Sequence, residues 1–302
     1  MKLIFLGTSG AVPTARRNHP SMLFSYKKEN ILIDCGEGTQ RQFRKARISP
    51  AKITRLLITH WHGDHVLGIP GLLQTLSFRD YNKTLFIYGP KGIKKNIENV
   101  LKAYPSLMFS DKRDGLKIKV LEVDGKFLET DEFYIESEKM SHGISANAYS
   151  FVKKGQIRID KKKLTKSKLP LGPLLQRLKK GKNITYKGKR YLAKNLTYLE
   201  GGKKISFVMD TLQNKRIVPF VKNSDLLVME STYSDEVKAM AREHKHMTVK
   251  QDAEIARKAR VKKLFLTHLS ERYEKNPEKI LREAKKIFKN SYLAKDLDVV
   301  EI

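Results

Sequence analysis

Residues 59–65 read Thr-His-Trp-His-Gly-Asp-His. His60, His62, Asp64 and His65 therefore fall within six positions, in a chain that holds only 8 histidines in 302 residues. Imidazole nitrogen and carboxylate oxygen are the donors that zinc takes at about 2.0–2.2 Å. No single regular element presents all four side chains to one point. A strand end or tight loop turns His60 and His62 the same way, Gly63 permits a sharp turn, and Asp64 and His65 then open the next helix. A chance surface loop does not concentrate donors in this way, so the segment reads as a metal site that can serve two adjacent ions.

Short apolar runs ended by glycine or a polar residue surround this segment. KLIFLG, NILIDCG, RLLITH, LFIYGP, KIKVLEVD, FYIESEKM and NAYSFVKK are strand candidates, followed in the second half by KKISFVMD, DLLVMES, KLFLTH and DLDVVEI. Helical apolar spacing marks GTQRQFRKAR, HVLGIPGLLQTLSF, KGIKKNIENVLKAY, residues 248–260 and the Pro277–Lys289 segment. Strands alternating with helices predict an α/β class. His142 in SHG, Asp210 in MDT and His268 in LTHLS each follow such a run and precede a turn, where alone they read as ordinary loop residues. Asp34 ends the run ILID.

Charge narrows the partner. The chain has 61 Lys and Arg against 32 Asp and Glu, a net +29, and a pI of about 10.0. A lysine-rich surface built for solubility or thermostability calls for glutamate in matching amounts; this imbalance calls for a polyanion, with nucleic acid first. The surplus is concentrated. Residues 153–204 hold 18 Lys or Arg and two acids, Asp160 and Glu200. This stretch could be a disordered linker. LGPLLQRL within it carries apolar residues at helical spacing, which favours an ordered, protruding basic insertion that grips phosphates.

Other classes are disfavoured. No apolar run reaches the roughly 18–20 residues of a membrane span. The start MKLIFLGTSG lacks the long apolar stretch and cleavage site of a signal peptide, so a cytoplasmic location is expected. Cys35 is the only cysteine; it reads as a small buried residue rather than a nucleophile. His19 and His244, in polar and basic surroundings, read as exposed surface residues.

His-x-His-x-Asp-His at the end of a strand resembles the signature of the metallo-β-lactamase superfamily. The resemblance implies an αββα sandwich, here one domain over 1–302 with the basic arm 153–204 inserted in it. It implies that His60, His62 and His142 bind one zinc, that Asp64, His65 and His268 bind the other, and that Asp210 bridges them. Manganese is a possible substitute. Asp34 takes a supporting place behind the ligands.

Within the superfamily, FLGTSGAVPTARRN and IDCGEGTQRQ are similar to the ribonuclease Z family. Its Pro-x-Lys-x-Arg-Asn loop reads PTARRN here, with Arg17 and Asn18 matching and Ala15 in place of the lysine. Its His-Glu-Ala-Thr loop reads MEST, retaining Glu230 and Thr232, and its His-Ser-Thr loop reads HMT, retaining His246 and Thr248. Gly172 and Pro173 match the Gly-Pro of its exosite arm. This resemblance implies endonucleolytic removal of the 3′ trailer from precursor tRNA by a metal-bridging hydroxide, leaving a tRNA 3′-hydroxyl and a trailer 5′-phosphate. Asp64 serves as base, and His246 oriented by Glu230 as acid. Arg17, Asn18, Thr248, Gly172 and Pro173 contact substrate, and the enzyme is a homodimer. A phosphodiesterase or arylsulfatase acting on small molecules would keep the same seven ligands but need no basic arm. A non-catalytic RNA-binding scaffold would have lost a ligand.

Overall fold

The computed structural model describes residues 1–79, 81–108 and 115–302. Two seven-stranded sheets form its centre. The first runs from edge to edge as Val299–Glu301, Lys2–Gly7, Ser21–Tyr26, Glu29–Ile33, Arg55–Leu57, Thr84–Gly89 and Lys117–Glu122. The second runs Ser291–Leu293, Leu264–Thr267, Leu226–Glu230, Lys203–Val208, Ser145–Lys153, Phe133–Ser141 and Gly125–Glu129.

The strand side chains alternate between two cores, which is why the strands read as unbroken apolar runs. Leu3 and Phe5 point into a core between the sheets, where they join Phe24, Ile31, Phe151, Phe207, Val228 and Phe265. Ile4, Leu6, Leu32 and Leu56 point the other way, onto helices Ile69–Phe78 and Ile93–Ala103 through Leu72, Leu76 and Ile97. Leu227, Met229 and Leu266 do the same on the far side, against helices Val249–Lys258 and Glu278–Ile287 through Ala253, Ala256 and Ile280. Helix, sheet, sheet, helix: the expected αββα sandwich is the observed one.

The basic stretch joins two neighbouring antiparallel strands of the second sheet, with Lys153 and Lys203 paired across its base. It is not an unstructured linker. Strands Gln156–Ile159 and Thr197–Glu200 pair at its root. Beyond them, helices Lys161–Ser167 and Leu174–Lys179 and the hairpin Ile184–Tyr186/Lys189–Tyr191 close over a small core of Leu164, Leu169, Leu178, Ile184, Ala193 and Leu196. The lysines therefore decorate a folded surface and do not repel one another into an extended coil.

Strand Ser21–Tyr26 has no counterpart among the sequence candidates. Its SMLFSY pattern is buried almost throughout, yet it follows a polar, arginine-bearing loop that masked it.

Candidate active site

All seven ligand candidates meet at one end of the sandwich, where strands of both sheets stop. His60 and His62 lie on the loop after strand Arg55–Leu57. Gly63–Val66 forms a one-turn helix that carries Asp64 and His65. This turn sits close to the loop after strand Glu29–Ile33: a Cβ on Gly36 would stand 2.3 Å from the Asp64 carbonyl oxygen. From the second sheet come His142, Asp210 and His268, each just beyond a strand end.

Two overlapping donor sets result. His60, His62, His142 and Asp210 form one; Asp64, His65, Asp210 and His268 form the other. Asp210 belongs to both. His60 Nε2 is 3.1 Å from His62 Nδ1, and His62 Nδ1 is 3.2 Å from His142 Nε2. In the other set, His65 Nε2 and His268 Nε2 are 3.2 Å apart.

These close nitrogen contacts fit a cation. His65 donates from Nδ1 to Asp34 Oδ2 at 2.8 Å. His268 donates from Nδ1 to the Thr232 hydroxyl at 2.8 Å, because that hydroxyl gives its own proton to Glu230 Oε2 at 2.7 Å. His142 donates from Nδ1 to the Lys245 carbonyl at 2.9 Å. In neutral rings the inward nitrogens then all carry lone pairs, and facing lone pairs repel. Two nitrogens at about 2.0–2.1 Å from a tetrahedral zinc would stand roughly 3.3 Å apart, close to what is seen. Asp210 Oδ1 is buried with no hydrogen-bond partner among the described residues, another atom that a cation would satisfy.

Electrostatics agree. Burial and the neighbouring His65 hold His60 well below the ordinary histidine pKa, and burial with His142 lowers His62, so both present free nitrogens at neutral pH. Burial would raise Asp64 and Asp210, but the surrounding histidines outweigh it and hold both carboxylates ionised. Burial opposes a charge on His65, yet Asp210 and Asp34 raise its pKa well above the ordinary value, so the pocket attracts positive charge.

One ligand candidate and the carboxylate behind another carry backbone strain. Asp34 and His268 both have left-handed φ values, 55° and 58°, a region costly for residues other than glycine and common at functional sites. Asp34 is fully buried and accepts from the Thr59 amide at 2.7 Å and the Thr59 hydroxyl at 2.8 Å as well as from His65. Such partners fix the tautomer and aim of a ligand histidine.

His246 stands at the rim. Its Nδ1 is 2.5 Å from Glu230 Oε2, and its Nε2 is 4.0 Å from Asp210 Oδ2. Burial disfavours its charge, but Glu230 and Asp210 prevail and push its pKa up to about 9. Glu230, Asp210, His246 and His268 lie close enough to suggest a third metal group. Glu230, however, already accepts from the Thr211 amide, the Thr232 hydroxyl and His246. Its two oxygens are thus already engaged by these three donors.

The remaining sequence candidates are spread more widely. Arg17 is buried: its Nη1 donates to the Thr8 hydroxyl and the Ala294 carbonyl, both at 2.7 Å. The arginine that faces solvent on this loop is Arg16. Asn18 donates its side-chain amide to the Glu37 carbonyl at 2.6 Å. Thr248 is buried and caps helix Val249–Lys258, with Gln251 completing a reciprocal capping box. Gly172 and Pro173 are exposed at the start of helix Leu174–Lys179 in the basic stretch.

Of the two remaining histidines, only His19 departs from the exposed position expected. His19 is buried, not exposed, because its backbone packs against Gly7 and its Cβ against Gly36. His244 is exposed but lines the cleft, where its Nδ1 meets the Tyr233 hydroxyl at 2.6 Å. Tyr233 and Asp296 escaped the sequence reading. Asp296, near the C-terminus, binds Thr8, the Asn18 amide and Gln42 and so ties down the 8–18 loop.

Fold and donor sets together define a metal-dependent hydrolase of the metallo-β-lactamase fold. The comparisons agree. A family model described as "Anti-Pycsar protein Apyc1" matches residues 1–161. The chain is 37% identical over 312 residues to a ribonuclease Z of Oceanobacillus iheyensis, covering 100% of both chains. Among solved structures, the human tRNase Z short form superposes with a TM-score of 0.71 at 24% identity, over 100% of this chain and 99% of that one. The metallo-beta-lactamase fold protein YhfI of Bacillus subtilis reaches 0.71 at 19% identity, over 100% and 99%. The chain belongs to the ribonuclease Z family, and its first 161 residues also carry the pattern of the Apyc1 family. No helix among the described residues is long and apolar enough to cross a membrane.

Proposed function

We propose that this chain removes the 3′ trailer from precursor tRNA and leaves a tRNA 3′-hydroxyl and a trailer 5′-phosphate. The observation that carries the reading is the pairing of two converged donor sets with the Glu230–His246 dyad at 2.5 Å on their rim, in a full-length relative of ribonuclease Z. His60, His62 and His142 would hold one zinc and Asp64, His65 and His268 the other, with Asp210 shared; manganese could substitute. When bound, such a pair supplies Lewis acidity, ionising water near neutral pH and offsetting charge on phosphoryl oxygens.

Asp64, held ionised beside His65 and His268, takes the proton of the attacking water as its oxygen bonds to phosphorus. The bond from phosphorus to the ribose 3′-oxygen breaks on the opposite side. His246, charged at neutral pH, gives that oxygen its proton. Glu230 holds the imidazole in line and keeps it protonated.

The chain is read as one domain, 1–302, whose arm, 153–204, is the exosite for the folded tRNA. Shape recognition of phosphates by lysines suffices there. At the surface, Asn18, Gly172 and Pro173 are proposed substrate contacts; Arg17 and Thr248, being buried, act through the loop and helix end they hold. A homodimer is proposed, since exposed Leu67, two residues after the histidine motif, and exposed Phe78, at the end of the following helix, offer apolar surface for a second copy to cover. Sedimentation showing a monomer at micromolar concentration would contradict it. A cytoplasmic location fits the single, buried free thiol of Cys35.

The deciding experiment is cleavage of a precursor tRNA with a 3′ trailer by the native chain, the chelator-treated chain and Asp64→Ala. Cleavage at the trailer junction that requires metal and Asp64 supports the reading. Turnover of a small phosphodiester without cleavage of the precursor would make the protein a small-molecule hydrolase instead.

A further inference from the structure

Adjoining His246 lies a second cavity of about 370 Å³ lined by Leu212, Gln213, Lys238, Arg242, His246 and Gln251. His246 is common to this cavity and the metal-site cleft. Lys238 and Arg242 stand one turn apart on helix Lys238–Glu243, so their side chains share a face. Both are exposed, and neither has a side-chain hydrogen bond or ion pair among the described residues. Like charges at this spacing repel, a cost that a bound anion removes. Gln251 donates its amide to Gln213 Oε1 at 2.9 Å and accepts the Thr248 amide on its own Oε1. That leaves the Gln213 amide nitrogen as a further donor in the cavity.

We propose that this cavity is a phosphate subsite for the nucleotide that carries the leaving 3′-oxygen, with Lys238 and Arg242 as its cationic ligands. The assignment deepens the trailer-cleavage reading and rests on it. In an in-line displacement the attacking and leaving oxygens lie on opposite sides of phosphorus, and the leaving oxygen is the one facing His246. The RNA chain on that side continues past His246 into the cavity. The next negative charge along it is the 5′-phosphate of the last mature nucleotide. Leu212 offers apolar surface to the sugar of that nucleotide. Lys238 and Arg242 are assigned to the phosphate, which every nucleotide shares, so the subsite positions the end without reading its sequence.

The test is a thermodynamic cycle on product binding. Mature tRNA ending in a 3′-hydroxyl, and the same RNA with its last phosphodiester replaced by a neutral methylphosphonate, are titrated by fluorescence anisotropy against the full-length metal-loaded protein and a Lys238→Gln/Arg242→Gln double variant. Neutralising the phosphate is expected to weaken the native protein by about tenfold, the scale of one charge-assisted hydrogen bond, and to weaken the double variant less than about twofold. A charge-keeping Lys238→Arg/Arg242→Lys variant should retain most of the tenfold response, which separates lost charge from a disturbed helix. Equal losses in native and charge-removed proteins, or no loss in the native protein, would overturn the subsite. Precursor cleavage by the native protein is assayed alongside. Cleavage without coupling removes the subsite and leaves the trailer reading standing. Coupling without cleavage keeps an RNA phosphate site and removes the trailer reading.

Discussion

Glu230 Oε2 lies 2.5 Å from His246 Nδ1 and 2.7 Å from the Thr232 hydroxyl, which in turn receives His268 Nδ1 at 2.8 Å. One buried carboxylate thus orients both the proposed proton donor and a metal-ligand candidate. It is itself held by the Thr211 amide, one residue beyond Asp210. The proton chemistry and the donor geometry are mechanically linked, so changes at Glu230 should reach both.

Replacing Glu230 with Gln removes the negative charge that keeps His246 protonated. The acid must carry its proton to act, so activity is present below the His246 pKa and lost above it. That pKa stands at about 9 against an ordinary 6.5 in the protein without bound cations, and bound cations lower it. The alkaline limb of the kcat profile should therefore fall between these values and move downward in the variant. A loss of roughly 10²–10⁴ in kcat is expected, the range typical of a lost general acid. A pH profile unchanged in shape would assign the limb to another group.

Asp34→Asn keeps the size of the side chain but loses the charge that fixes His65. Metal affinity should drop about 10–100-fold, the usual consequence of removing a carboxylate behind a ligand histidine. Competition with a fluorescent zinc chelator reads this directly. Undiminished affinity would mean that the Thr59 contacts alone hold the loop.

Asp252 is a buried liability. It sits in the first turn of helix Val249–Lys258 with both carboxylate oxygens lacking a partner among the described residues, and burial, then Glu230, raise its pKa well above 3.8. The folded protein holds the proton while the unfolded chain gives it up above its ordinary pKa. The penalty is therefore absent at low pH and grows as pH rises from the unfolded toward the folded pKa. Asp252→Ala should stabilise by about 1–3 kcal/mol near pH 8 and by little near pH 4. Thermal melts at the two pH values should show this difference; destabilisation at pH 8 would reveal a needed interaction.

Removing charge from the arm tests the exosite. Changing Lys161, Lys162, Lys163 and Lys166 to Gln spares the small core around Leu164 and Leu178. For each phosphate that the arm no longer neutralises, the slope of log affinity for precursor tRNA against log salt should flatten by about 0.7–0.9. KM should rise more than kcat falls. An unchanged salt slope would place the tRNA grip elsewhere.

Local spacing made the first four ligand candidates legible, because His60, His62, Asp64 and His65 need only one strand end and one turn to converge. The apolar runs likewise announced two-sided burial, since strands covered on both faces leave no polar alternation. The basic stretch was legible from composition, and the two residues that pair at its base, Lys153 and Lys203, lie at or beside its ends.

Other assignments depended on packing across the chain. His142, Asp210 and His268 had only sequence order in their favour; alternate strands of the second sheet, Phe133–Ser141, Lys203–Val208 and Leu264–Thr267, bring them to one point. The parallel register of Leu226–Glu230 with Leu264–Thr267 sets Glu230 beside Thr267, one residue before His268. Arg17 carries a charge that sequence assigns to the surface, yet Thr8 and the Ala294 carbonyl, 277 residues away, hold it inside. The HMT loop pointed to His246, but that its ring, and not that of His244, reaches Glu230 is a contact made after helix Lys238–Glu243 has ended. Sequence alone determined which residue types could bind metal and polyanion, because ligand chemistry and charge are properties of side chains. Tertiary structure decided which of them meet, because convergence of strand ends depends on sheet register and helix packing set by residues hundreds of positions apart.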